Sequence, residues 1–267
     1  MQTIQQARRR NSALGEAIPL PIQGFIDNDI YILKGQLTLL ALAPGGGKSA
    51  LAQAWTHHGD GRGHVVPTLY FSADSGPEVM YVRAACLATG LDSTTVREMI
   101  EAGNTAHLDA EMAAKHSHIR YDFTSTPSED HILNQLEAYL ELVGDFPEII
   151  VMDNIKDLAN DAEADEWRAL EDAMMFLKEL ARETGAAVLG LHHVGGEFEN
   201  GDMPIPLNGL RGKVGKTPAM VLTGYRPGGS DSELRVSVVK NRNGKVNSLG
   251  TFWVPLEVDL GKMQFKG

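Results

Sequence analysis

The segment from Leu39 to Leu51 constrains the fold of this chain more than any other part of its sequence. An apolar run is broken after Ala43 by a proline and three glycines, and it then continues through Lys48 and Ser49 into a helix-forming stretch. Strand, glycine-rich loop and helix in this order form a P-loop, in which glycines let backbone N–H groups wrap a polyphosphate. The sequence therefore predicts an α/β domain that binds a nucleotide.

The predicted loop defines a candidate nucleotide site. Lys48 would reach the β- and γ-phosphates as a charge, and the Ser49 hydroxyl would bind Mg²⁺ beside them. The start of the following helix favours the same anion, because its free N–H groups carry partial positive charge. We expect ATP to be bound by Pro44, Gly45, Gly46, Gly47, Lys48, Ser49 and Ala50.

The motif departs from its strict form in one place and leaves one alternative open. The strict pattern has glycine six residues before Lys48, where this chain has Leu42. A plain glycine turn before a helix is the alternative, but such a turn needs neither the lysine nor the serine. Because Lys48 would reach phosphate rather than the core, we expect its removal to leave the fold intact.

Composition excludes several classes of protein. The net charge of −11 excludes a generally basic surface, so any nucleic acid must be bound by a local patch. The single cysteine, Cys86, excludes an intramolecular disulfide and a cysteine-based zinc site, as expected for a cytoplasmic protein. No apolar run approaches the ~18 residues of a membrane span, so we expect no membrane partner.

Strands and helices alternate along most of the chain and then give way to strands alone. Strands are predicted at Leu37–Ala43, Thr68–Ala73, His118–Phe123, Glu148–Asp153, Ala187–His192, Ala219–Tyr225, Leu234–Lys240 and Leu249–Leu256. This order indicates a mostly parallel, twisted sheet with helices on both faces and an antiparallel C-terminal edge. We predict one α/β domain over residues 24–267, preceded by a polar, proline-containing arm over residues 1–23.

Two carboxylates and a histidine pair end predicted strands. Asp153 follows four apolar residues, and beside a P-loop its expected role is to hold Mg²⁺. Asp74 would either orient and deprotonate an attacking water or cap the next helix, and both alternatives stay open. One member of the pair His192 and His193 would sense the γ-phosphate, while its neighbour points to the opposite face of the sheet.

Two basic segments lie late in the chain. Lys240 and Arg242 belong to a predicted hairpin tip, which suits either plain solvation or insertion into another subunit's phosphate site. Arg211, Lys213 and Lys216 lie in a glycine-containing loop that suits contacts to a phosphate backbone. The same loop would equally suit contacts to a nucleotide.

Six ordered segments resemble the RecA-like ATPase core of DnaB-type hexameric replicative helicases over residues from about 24 to 266. They are Ala-Pro-Gly-Gly-Gly-Lys-Ser (43–49), Tyr-Phe-Ser-Ala-Asp-Ser (70–75), Ile-Ile-Val-Met-Asp-Asn (149–154), Leu-Gly-Leu-His-His (189–193), Leu-Arg-Gly-Lys (210–213) and Val-Lys-Asn-Arg-Asn-Gly (239–244). The resemblance implies the short form found in phages and plasmids, without the large N-terminal domain. It also implies that residues 1–23 are a linker that docks on an adjacent subunit.

The resemblance assigns roles to the residues at the nucleotide. Asp74 stands where these helicases have a catalytic glutamate, and its shorter side chain leaves the speed of hydrolysis open. His193, or else His192, stands in place of the glutamine that senses the γ-phosphate. Lys240 and Arg242 would act on a neighbouring subunit's nucleotide, with Arg242 as the arginine finger.

The same resemblance implies partners. Arg211 and Lys213 would face a central channel and follow single-stranded DNA through a ring of six identical subunits. A primase or a loader is an expected but unidentified partner. Our hypothesis is therefore a ring-forming ATP-dependent DNA helicase. A recombinase-like or accessory ATPase that binds DNA without unwinding it, and a regulatory scaffold with little turnover, are the alternatives.

Overall fold

The computed structural model of the protein describes residues 15–19, 21–58, 65–158, 166–210 and 214–267. The strands are β1 (Ala17–Pro19), β2 (Tyr31–Leu33), β3 (Leu37–Leu42), β4 (Thr68–Ser72), β5 (Ile119–Asp122), β6 (Ile149–Asp153), β7 (Ala187–His193), β8 (Met220–Tyr225), β9 (Glu233–Asn241), β10 (Val254–Asp259) and β11 (Gln264–Lys266). The α-helices are α1 (Gln23–Ile26), α2 (Lys48–His57), α3 (Pro77–Thr89), α4 (Ser93–Glu101), α5 (Ala106–Lys115), α6 (Glu129–Val143) and α7 (Glu166–Thr184). Within these ranges, no helix combines the length and the apolar character needed to cross a membrane.

A nine-stranded sheet forms the centre of the molecule, in the order β11-β10-β9-β8-β3-β7-β6-β4-β5. The strands from β8 to β5 in this order are parallel to one another, while β9, β10 and β11 form an antiparallel edge. The predicted fold class is thereby confirmed. Parallel strands end at the same edge, so the carboxyl ends of β3, β4, β6 and β7 lie side by side, where open α/β sheets bind ligands.

Helices cover both faces of the sheet, which explains why every residue of β3, β4 and β6 is buried. One core cluster packs α6 and α7 against the sheet through residues such as Leu136 and Met174. The other packs α2 and α3 against the opposite face through residues such as Trp55 and Met80. The near-continuous apolar sequence of the central strands is a consequence of this two-sided cover.

Two parts of the fold differ from the expectation. The antiparallel strand predicted from Leu249 begins only at Val254, because Leu249 is 66% exposed and alternation of buried and exposed residues starts at Val254. Near the N-terminus, β1 pairs with β2, and Ile18 and Ile22 are buried in the core. The described part of the predicted arm thus packs on the domain. Residues 1–14 lie outside the described ranges, and the division at residue 23 stays a prediction.

Candidate functional site

The loop between β3 and α2 has the geometry of a phosphate cradle. Gly45 and Gly47 have φ values of 73° and 95°, in the left-handed region where a side chain is strained. A Cβ on Gly46 would lie 3.0 Å from the carbonyl oxygen of Ala43. The loop therefore requires its glycines, and it presents the first N–H groups of α2 to the edge of the sheet.

Leu42 occupies the place of the missing glycine without disturbing this loop. It is the last residue of β3 and is fully buried. The neighbouring strand makes room for it with Gly224, where a Cβ would lie 3.0 Å from Leu42 Cγ. The position that is glycine in the strict motif falls here in the strand, so a side chain is tolerated.

Lys48 and Asp153 form a buried ion pair beneath the loop. Lys48 Nζ donates to Asp153 Oδ1 at 2.8 Å, and the two residues are 3% and 0% exposed. This burial contradicts the expectation that Lys48 lies outside the core. Tyr70 Oη donates to the second carboxylate oxygen at 3.1 Å, and burial together with Asp153 raises the pKa of Tyr70 well above its usual value. Sequence reasoning missed Tyr70, because only the pairing of β4 with β6 brings it to Asp153.

Asp74 lies next to Asp153 and does not cap a helix. The N-cap of α3 is Gly76, and no side chain caps it, so the capping alternative for Asp74 is wrong. The backbone N–H of Asp74 donates to the carbonyl oxygen of Asp153 at 3.2 Å. Its carboxylate lies 3.7 Å from His193 Nε2. The ends of β4, β6 and β7 thus bring Asp74, Asp153 and His193 together.

The two histidines at the end of β7 differ in environment. His192 is buried, while the His193 side chain is 23% exposed and faces Asp74. Burial, His193 and the Lys48 charge lower the pKa of His192 to about 4. Burial and the Lys48 charge also lower the pKa of His193. These environments favour neutral imidazoles, which accept or donate one hydrogen bond without adding charge.

The residues at this edge fit a nucleotide with Mg²⁺. Ser49 lies in the first turn of α2, and Asp153 ends β6, so a hydroxyl and a carboxylate oxygen are offered from adjacent elements. Mg²⁺ at nucleotide sites takes one or two protein oxygens and completes its shell with phosphates and water. In the part of the chain that the structure describes, no group of three His, Cys, Asp or Glu side chains could hold a metal ion alone. The predicted roles of Ser49 and Asp153 in metal binding stay predictions.

Arg226 is a second residue that sequence reasoning missed. It follows β8, whose carboxyl end lies beside the phosphate loop because β8 is parallel to β3. Its Nε donates to the carbonyl oxygen of Gly46 at 3.4 Å, and its Nη1 donates to that of Ser230 at 3.2 Å. Its Nη2 is buried, and the described residues offer this atom no hydrogen-bond partner. The position could have been suspected only from its place at the end of a strand.

The late basic residues lie at the opposite edge of the sheet. Lys240 Nζ donates to the carbonyl oxygen of Gly215 at 2.8 Å, and Arg242 Nη2 donates to those of Lys216 and Thr217 at 3.4 and 3.5 Å. Burial and the Arg242 charge lower the pKa of Lys240 to about 8. This cluster is separated from the phosphate loop by the six residues of β3, a distance of about 20 Å.

The loop predicted to follow DNA is described only in part. Arg211 and Lys213 lie outside the described residues. Lys216 is exposed, and its carbonyl oxygen accepts hydrogen bonds from Lys240 and Arg242. Lys216 is therefore grouped with the pair predicted to act between subunits, and it does not lie near the phosphate loop of its own chain.

Comparison with known proteins identifies relatives along nearly the whole chain. Residues 10–197 match the AAA domain family AAA_25. The Gene 65 protein of Mycobacterium phage L5 is 37% identical over 262 residues, which cover 96% of this chain and 95% of that protein. The Gene 65 protein of Mycobacterium phage D29 is 41% identical over 231 residues, which cover 83% of this chain and 94% of that protein.

Solved structures share the fold at low sequence identity. An isolated ATPase domain of known structure has a TM-score of 0.79 at 18% identity, and the match covers 100% of this chain and 99% of that domain. A DnaB-like replicative helicase, studied with its interactions with primase, has a TM-score of 0.80 at 15% identity. The match covers 98% of this chain and 64% of that helicase, so this chain spans less than two thirds of the helicase's length. A KaiC-like protein, PH0186 from Pyrococcus horikoshii OT3, has a TM-score of 0.62 at 14% identity, with 94% of this chain and 98% of its own covered. The RecA-like fold predicted from the six ordered segments is confirmed.

Proposed function

The chain belongs to the AAA domain family AAA_25, and from this premise we propose that it is a ring-forming, ATP-hydrolysing motor of the DnaB type that moves on single-stranded DNA. The observation that carries the proposal is the Lys48–Asp153 pair beneath a glycine loop, at the carboxyl edge of a RecA-like sheet. A lysine held at this place can exchange one anion for another. When a triphosphate enters the loop, Lys48 moves from the carboxylate to phosphate oxygens.

The neighbouring residues have distinct roles in this proposal. Asp153, released from Lys48, and Ser49 would hold a Mg²⁺ ion, which would neutralise charge on the phosphates. Asp74 accepts a proton from the attacking water, since its carboxylate lies at the same edge and caps no helix. His193 lies 3.7 Å from Asp74 and can orient this carboxylate while contacting the γ-phosphate.

In this proposal the arginine finger comes from another subunit. Arg242 lies at the amino edge of the parallel strands, about 20 Å from its own phosphate loop, so it cannot reach its own nucleotide. We propose a ring of six copies in which Lys240 and Arg242 contact the neighbour's phosphates and the part of the arm before β1, residues 1–14, contacts an adjacent subunit. Arg211, Lys213 and Lys216 then follow single-stranded DNA, and a primase or loader is an unidentified further partner.

A DNA-stimulated ATPase assay combined with unwinding of a forked duplex tests the proposal. Hydrolysis that rises with single-stranded DNA, together with strand displacement, is the expected result. Stimulation without displacement would favour the recombinase-like alternative. Tight nucleotide binding without turnover would favour the scaffold.

Mixing of variants tests the role of Arg242 between subunits. Arg242→Ala should lower turnover by roughly 10³-fold or more, with Arg242→Lys as the control that keeps charge but loses the planar fork. Subunits with Arg242→Ala should regain part of the activity when mixed with Lys48→Met/Asp153→Asn subunits. Co-assembled mixtures that regain none would contradict the ring arrangement.

A further inference from the structure

A cavity of about 390 Å³ lies at the amino ends of the parallel strands, whereas the phosphate loop lies at their carboxyl ends. Its walls are the start of β3, the segment leading into β8, and the last turns of α7. Four cationic side chains line it: Lys34 between β2 and β3, Lys178 and Arg182 from α7, and Arg242 after β9. Of the described residues, none that lines the cavity is a carboxylate and none is aromatic.

Two cations of this cavity, Lys178 and Arg182, have no carboxylate partner among the described residues. Lys178 and Arg182 are spaced i,i+4 and so share one helix face, an arrangement in which like charges repel each other. Within the described ranges, neither forms an ion pair with a carboxylate. A shortage of acidic residues does not explain the missing ion pairs, because the chain has 35 acidic and 24 basic residues. A fourth cation of the wall, Lys34, is already held by two carboxylates.

Most N–H donors of the Arg242 guanidinium form no hydrogen bond with the described residues. Only its Nη2 is used, in two long hydrogen bonds of 3.4 and 3.5 Å to backbone carbonyl oxygens. The other N–H groups of the guanidinium have no partner among the described residues. A planar guanidinium beside a second arginine and a lysine is a donor set that suits phosphate oxygens, which accept several hydrogen bonds at once.

We propose that Lys178, Arg182 and Arg242 form one phosphate-binding pocket, and that it receives the phosphates of a nucleotide held by a neighbouring copy of this chain. The proposal rests on the proposed function, and it adds Lys178 and Arg182 of α7 to Arg242 as residues that contact the neighbour's phosphates. The chain's own nucleotide is excluded by the distance of about 20 Å along β3. Single-stranded DNA is disfavoured, because the cavity is concave and its lining lacks the aromatic platforms on which bases stack.

A direct titration decides whether the pocket binds an anion, whatever the chain does with ATP. The background is Lys48→Met/Asp153→Asn, which disables the phosphate loop and leaves neither buried charge unpaired. Pyrophosphate is the probe, followed by ³¹P NMR at low ionic strength. Adding Lys178→Gln and Arg182→Gln should weaken the remaining binding at least about tenfold, since each lost contact is a charge-assisted hydrogen bond.

The matched control for this titration is Arg168→Gln, which removes one exposed arginine from the same helix, ten residues before Lys178. It should leave pyrophosphate binding unchanged, while Arg182→Gln alone weakens it. Equal affinities with and without the α7 substitutions would overturn the proposal, even if wild-type rings hydrolyse ATP.

A mixing experiment decides whether the pocket acts on a neighbour. Lys178→Gln/Arg182→Gln subunits should keep the wild-type Kd for ATP at concentrations too low for assembly, whereas their assembled rings should turn ATP over about tenfold more slowly without DNA. Mixing them with Lys48→Met/Asp153→Asn subunits, which supply an intact pocket, should restore part of the turnover. No recovery in mixtures shown to co-assemble would overturn the role between subunits.

The same variants separate the remaining explanations. If they keep DNA-free turnover but lose affinity for single-stranded DNA, with a flatter salt dependence, the pocket contacts DNA and the proposal is wrong. If the wild type neither assembles nor hydrolyses ATP, the proposed function fails, whereas the pyrophosphate titration still decides whether the pocket exists.

Discussion

Replacing Lys48 by methionine should destabilise the folded chain as well as abolish nucleotide binding. The substitution keeps the apolar stem but leaves the carboxylate of Asp153 fully buried, with the Tyr70 hydroxyl as its remaining donor. Removing one member of a buried ion pair costs about 3–5 kcal/mol, because the other charge is left uncompensated. For a chain of this size, that loss corresponds to a fall in melting temperature of roughly 6–20 °C.

A double-mutant cycle tests the physical reason for this loss. Asp153→Asn alone should also destabilise the chain, since Lys48 then lacks its anion, whereas Lys48→Met/Asp153→Asn should lose much less than the sum of the two. We expect a coupling free energy of about 2 kcal/mol or more from urea denaturation followed by circular dichroism. The surface pair Glu111–Lys115 is the control, and Glu111→Gln should leave the urea midpoint nearly unchanged. Single effects that add to within about 0.5 kcal/mol would refute the buried pair.

The same variants report on the nucleotide without any activity measurement. ATP with Mg²⁺ at about 100 times its Kd should raise the free energy of unfolding of the wild type by about 2.7 kcal/mol. The double variant should show no such increase, because it lacks the lysine that contacts phosphate. An equal increase in both proteins would place the nucleotide away from this loop.

Three other outcomes are expected from the same geometry. Asp74→Asn should lower kcat about a hundredfold while the melting temperature stays unchanged, because Gly76 and not Asp74 is the N-cap of α3; a fall in melting temperature alone would favour a structural role. Arg226→Ala should raise the Kd for ATP roughly tenfold by freeing the carbonyl of Gly46, with Arg226→Lys between it and the wild type in a nucleotide titration. Burial lowers the pKa of His116 to about 4, so the unfolded state takes up a proton first on acidification and stability should fall from pH 6.5 to 4; urea titrations of His116→Gln should show a flatter dependence.

The parts of the site that could be predicted are the phosphate loop, which lies in one continuous segment, and the carboxylates that end apolar strands. A strand, a glycine loop and a helix follow one another in the sequence, so the positions of Gly47 and Lys48 follow from local chemistry. Asp153 and Asp74 could be placed because each ends an apolar strand, and parallel strands end at one edge. Even there, the sequence left two roles open for Asp74, and only the observed cap of α3 excluded one of them.

The parts that could not be predicted depend on which strands are neighbours. Tyr70 contacts Asp153 because β4 pairs with β6, although 83 residues separate the two. Arg226 contacts the phosphate loop because β8 pairs with β3, and their contacting residues are 180 positions apart. The burial of Lys48 has the same origin, since an anion from a distant strand holds it inside. Such pairings are set by the packing of the whole sheet, so they cannot be predicted from any local sequence pattern.

The distribution of charge argues that nucleotide binding and subunit association are coupled. At the carboxyl edge, Lys48 is neutralised by Asp153, so this lysine contacts a triphosphate only when it leaves the carboxylate. At the amino edge, Lys178, Arg182 and Arg242 lack carboxylates among the described residues. If the second edge meets the first across an interface, the nucleotide attracts the neighbour and the neighbour attracts the nucleotide by the same free energy. ATP should therefore shift the chain toward larger assemblies in sedimentation velocity, and ATP affinity should rise with protein concentration. In Arg242→Ala both dependences should weaken together, because reciprocity does not allow one to be lost alone.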